Sequence, residues 1–129
     1  MERDCMARPL NGDERKWFRR LFEADFQDKE ILKRQIDAAS VEGVLRLDGL
    51  IAVELSIPED APRYPHSIRV PASMDDLREE GAPIMFLLHV VNGFAKELEV
   101  ASADSTAFDE RDISLREVKY HVSPEVAPL

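Results

Sequence analysis

The sequence predicts an α+β fold, with two N-terminal helices packed on one face of a mainly antiparallel sheet of about five strands. Three observations carry this prediction. Apolar residues recur at helical spacing only before residue 40, strict alternation sets in at Val41, and the pairs Asp48-Gly49 and Asn92-Gly93 each separate two strand-like runs. A chain of 129 residues is the usual size of one domain. The expectation is a single domain over 1–129, with loosely ordered tails at 1–10 and 123–129.

Asn11, followed three residues later by Glu14, has the pattern of a capping box, and Trp17, Phe18, Leu21 and Phe22 then share one helical face. The first helix is therefore expected over 12–24, with Phe26 tucked in after its end. Asp28 is placed to cap a second helix that ends near Ala39, with Ile31, Leu32 and Ile36 inward and the pair Glu30 and Arg34 one turn apart. Two short one-faced helices this close in sequence suit a corner laid on a sheet.

Strands are expected over 41–47 and 50–57, joined at Asp48-Gly49, with Ile51, Val53, Leu55 and Ile57 on one face. The segment 58–81 contains four prolines and the acidic residues Asp75, Asp76, Glu79 and Glu80. It reads as a loop, with an extended piece at 67–70 and one helical turn near 74–80. The stretch 83–101, PIMFLLHVVNGFAKELEVA, is a β-hairpin. Asn-Gly between strands favours a type I′ turn, which needs positive φ at both central residues. Beyond it, 101–112 is polar and irregular, and 115–122 has the β-formers for a last strand before Pro124 and Pro128 end the order.

The net charge is −9, yet residues 1–40 balance nine Lys/Arg against nine Asp/Glu, so the whole surplus lies in the β-rich part. Such a field disfavours nucleic acid and anionic membranes and steers basic partners. The lone cysteine, Cys5, cannot form an internal disulfide, and the first ten residues have no apolar signal region. The expected setting is the cytoplasm.

Functional residue types gather on the second hairpin. A straight two-residue hairpin sets Val91 against Phe94 and His89 against Lys96, which leaves Glu97 and Glu99 on one face and His89 on the other. The sheet would then separate these three residues, and only a bulge could bring them together, so no metal site and no cofactor is expected. Glu97 and Glu99 could act as an acid–base pair or hold a hard cation with help from elsewhere. Ion pairing with Arg46, Arg69 or Arg116 is favoured over catalysis. His89 reads as a neutral imidazole bonded to a backbone group or a carboxylate, while His66 and His121 have no partner at suggestive spacing. Arg15, Lys16, Arg19 and Arg20 read as the solvated side of the first helix. There is no H-E-x-x-H, G-x-S-x-G, phosphate-binding glycine loop or C-x-x-C.

Arg8-Pro9-Leu10 ahead of a short helix, the hairpin LLHVVNGFAKELEV and Asp104 after it resemble a family of small uncharacterised bacterial proteins, a domain of unknown function. In that family an R-x-L start precedes two helices, and an L-L-H-V-x-x-G-x-x-x-E-L-E segment follows a proline-bearing stretch like Val70-Pro71. The resemblance implies an α+β fold and a bacterial cytoplasmic setting, and supplies no mechanism. The chain departs from the pattern at Asp104-Ser105, where an Asp-Gly turn is expected.

The function expected from these residues is an acidic protein-binding module, immunity-like or regulatory, that presents Asp75, Asp76, Glu79 and Glu80 to a basic protein. An exposed strand edge would also allow a homodimer. The competing expectation is a metal-assisted or acid–base enzyme built on Glu97 and Glu99, with His89 joining if a bulge turns it.

Overall fold

The computed structural model describes residues 2–4, as backbone, and residues 7–129; Cys5 lies outside the described residues. The chain runs β1 (Glu2–Asp4), β2 (Arg8–Pro9), α1 (Gly12–Leu21), α2 (Lys29–Asp37), β3 (Ser40–Leu47), β4 (Leu50–Ser56), β5 (Ala72–Asp76), β6 (Ile84–Val91), β7 (Phe94–Ser102) and β8 (Val118–Val122). The strands form one antiparallel sheet in the order β1-β3-β4-β7-β6-β5-β8, with β2 also paired to β3. Among the described residues, eight strands replace the expected five or so. Two of the additions come from the N-terminal segment, where Glu2–Asp4 and Arg8–Pro9 pair with β3.

The third addition corrects the reading of 74–80 as a helical turn. Ala72–Asp76 is an interior strand between β6 and β8, with Ala72, Met74 and Asp76 facing inward. Aspartates disfavour strands, but Asp76 is fully buried and its carboxylate accepts from the Ser114 and Leu115 amides, at 3.0 and 2.9 Å. Those donors lie almost forty residues away, beyond the reach of any local pattern.

α1 begins with the full capping box: Asn11 Oδ1 accepts from the Glu14 amide, and Glu14 Oε1 accepts from the Asn11 amide. It stops at Leu21, short of the expected 24, because Glu23 and Ala24 bond back to the carbonyls three residues earlier and tighten the chain into a turn. α2 is not capped by Asp28. That residue is left-handed (φ +60°), its side chain makes no cap bond, and its carboxylate is paired with His66 Nε2 at 2.7 Å. Glu30 pairs with Lys33 at 3.5 Å, not with Arg34.

Both helices lie on one face of the sheet. Trp17 of α1 meets Phe86 of β6 edge to face, with ring centroids 5.7 Å apart, and the core continues through Phe18, Leu21, Phe22, Leu32, Val53, Leu98 and Val100. The C-terminal segment docks beside them: Val126 is buried and its carbonyl accepts from the Gln27 amide at 2.9 Å. No described helix is long and apolar enough to cross a membrane.

Candidate functional site

The hairpin of β6 and β7 turns at Asn92 (φ +53°) and Gly93 (φ +84°), both positive as a type I′ turn requires. Of the pair Asp48-Gly49, only the glycine has positive φ, so that turn is of another type. From Asn92-Gly93 the pairing starts as expected, Val91 with Phe94 and Val90 with Ala95, and then shifts: His89 faces Glu97 and Leu88 faces Leu98. Lys96 is the extra residue of a β-bulge, and it is exposed.

The cause is a conflict between turn and core. A straight ladder would set Leu88 against Glu97 and Phe86 against Glu99, placing two glutamates beside α1 and α2 while turning Leu98 and Val100 outward. Leu98 and Val100 are instead fully buried. One bulge costs far less than burying two carboxylates. The expected separation of His89 from Glu97 and Glu99 is thereby overturned, and all three project from the face opposite the helices.

There the three side chains converge, with one ligand atom of each within 4.8 Å of the others. His89 Nε2 lies 2.8 Å from Glu99 Oε1, and Arg69 Nε donates to His89 Nδ1 over 3.1 Å. A guanidinium has no lone pair to offer, so Nδ1 must be the bare nitrogen of a neutral ring. Nε2 then carries the proton and donates to Glu99. The side chain of His89 is only 15% exposed, against 33% for Glu99. Register places Gly43, Glu54, Glu97 and His89 in one row across the sheet, and Leu45, Ala52, Glu99 and Leu87 in the next. Three carboxylates thus share one patch with a single imidazole, beside apolar neighbours and with no helix over them.

Arg69 reaches this patch because its backbone is held there. Val90 lies next to the turn, where its amide points away from β7, and it donates to the Arg69 carbonyl at 2.7 Å. On the opposite side, the Ala95 amide donates to Gln35 Oε1, whose Nε2 donates to the carbonyls of Pro62 and Gly93, each at 2.8 Å. Gln35 is fully buried in α2 and clamps the hairpin tip. Sequence reading passed over it, since a lone glutamine among apolar helix positions carries no partner signal. Among the expected arginine partners of the glutamates, Arg46 is bonded to Glu110 at 3.0 Å, and Arg69 acts through His89.

The acidic surface proposed for a basic partner is split up. Asp76 is buried and bonded, Asp75 pairs with His121 Nε2 at 2.9 Å, and only Glu79 and Glu80 remain exposed. His66 and His121 therefore do have carboxylate partners, Asp28 and Asp75, supplied from distant segments. The basic cluster of α1 is divided as well. Arg20 donates to the Leu115 carbonyl, Glu23 and the Tyr120 hydroxyl, whereas Arg15 and Arg19 stand at a cleft of about 600 Å³ between the helices.

Comparison with protein-family models, with curated proteins and with solved structures finds no match in any of the three.

Proposed function

We propose that this protein binds a divalent transition-metal ion on the open face of its sheet, through His89 Nε2 and the carboxylates of Glu97 and Glu99. The observation that carries the reading is the bulge at Lys96, which turns an imidazole and two carboxylates toward one point. This donor set suits zinc, manganese or iron. A tetrahedral ion with bonds of about 2.1 Å needs ligand atoms about 3.4 Å apart, so side-chain rotation closes what the 4.8 Å limit leaves.

Three protein ligands leave one coordination position open, which is the arrangement of Lewis-acid and water-activating sites rather than of closed structural ones. The metal-assisted reading is thereby preferred over the acidic protein-binding module, which retains only Glu79 and Glu80 of its four-residue surface.

Zinc titration by calorimetry tests it. One equivalent should bind, and His89→Ala, Glu97→Gln and Glu99→Gln should each weaken binding by about tenfold or more while circular dichroism shows the fold intact. No binding by the wild type, or equal binding by the Glu97→Gln/Glu99→Gln variant, overturns the proposal.

A further inference from the structure

We propose that the bound ion carries a phosphate group as its remaining ligand, and that Arg69 holds that phosphate after giving up its hold on His89. This rests on the metal reading above. The argument starts from the single lone pair of a neutral imidazole. Arg69 Nε occupies it at Nδ1, which leaves the proton on Nε2, facing Glu99. An ion at Nε2 requires the ring proton on Nδ1, where it would point straight at the guanidinium N–H. Two donors cannot share that contact, so metal and Arg69 compete for His89.

Once displaced, the guanidinium does not leave the site. The Arg69 carbonyl still accepts from the Val90 amide at 2.7 Å, anchoring the backbone beside β6, while the exposed side chain can turn without repacking. A free fork of N–H donors is then left next to a three-liganded ion. An arginine fork binds two oxygens of one oxyanion, and the ion takes a third. A phosphate supplies three such oxygens; a carboxylate has only two.

Charge makes the two binding events conditional. Glu97, Glu99 and Arg69 together carry one negative charge, so the patch repels an anion. A divalent ion raises that charge by two and converts repulsion into attraction.

Cobalt(II) titrations, followed by d–d absorption with and without methyl phosphate, give opposite signs for one substitution. In the wild type, methyl phosphate should tighten cobalt binding at least fivefold, and acetate should not. Arg69→Met should bind cobalt alone more tightly, about three- to tenfold, because His89 is freed, and should lose the effect of methyl phosphate. Cobalt binding that methyl phosphate leaves unchanged in the wild type overturns this inference while leaving the metal site standing. So do an acetate effect as large as that of methyl phosphate, and an Arg69→Met variant that behaves as wild type. A wild type that takes up no cobalt overturns both.

Discussion

His89 and Glu97 face each other across β6 and β7, although the turn at Asn92-Gly93 sets the strands so that His89 should meet Lys96. The one-residue slip at Lys96 satisfies the turn and the core together, and it gathers the candidate ligands as a consequence.

Deleting Lys96 should therefore preserve the site. Without the extra residue the straight ladder itself pairs His89 with Glu97 and Leu88 with Leu98. Zinc affinity should stay within about threefold of wild type, since all three ligands keep their face. A tenfold loss in calorimetry would show that the bulge contributes local geometry beyond register.

Glu14 accepts from both terminal nitrogens of Arg8, at 2.7 and 2.8 Å, and from the Asn11 amide at 2.9 Å, while almost fully buried. Glu14→Ala should lower stability by about 2–3 kcal/mol in urea unfolding, the sum expected for a lost cap and charge-assisted bonds. Glu14→Gln, which keeps an acceptor, should lose less. A cost under about 0.5 kcal/mol would mean that the Arg8–Glu14 pair adds nothing to the fold.

Ser105 has φ +64°, a left-handed conformation in which a β-carbon is unfavourable. It stands where the resemblance called for glycine. Ser105→Gly should raise stability by about 0.5–1 kcal/mol, seen as a melting temperature a few degrees higher. Gly49→Ala should do the reverse. Gly49 has φ +75°, and an added β-carbon would lie 2.7 Å from the Ser105 carbonyl oxygen.

Removing the Gln35 side chain takes the partner from the Ala95 amide and the Pro62 carbonyl, while the Gly93 carbonyl keeps its bond from the Tyr64 amide at 2.8 Å. Gln35→Ala should cost about 3 kcal/mol. Native-state hydrogen exchange should show the Ala95 amide losing its protection first. Retained protection there would place the hold on the hairpin tip elsewhere.

The Tyr64 hydroxyl, buried and donating to the Gln27 carbonyl at 2.9 Å, is pushed up to about 12 by burial, with the Asp28 charge adding to the shift. Its folded value lies above the unfolded one of about 10. The stability tied to its protonated form is thus complete below pH 10 and is lost as pH rises toward 12. Tyr64→Phe should flatten the alkaline fall in unfolding free energy over that window, and an unchanged slope would assign the fall to other groups.

The α+β class, both helices and their order, the Asn11–Glu14 cap and the positive φ at Asn92-Gly93 were legible in the chain itself. Each depends on residues within a few positions of one another, where torsional preference and periodicity act. The tertiary structure alone decided three further points. Ala72–Asp76 became a strand once distant amides at 114 and 115 took up the Asp76 carboxylate. Arg69 was drawn to His89 by the backbone bond from Val90. His89 joined Glu97 and Glu99 because the register set by the turn and the register set by the apolar residues differ by one. Both registers are written in the sequence, since Leu98 and Val100 fall on the parity that the turn assigns to the outside. Which one yields, and where, depends on the free energy of burying leucine and valine rather than glutamate beneath two helices, and that quantity exists only once the sheet and helices have packed.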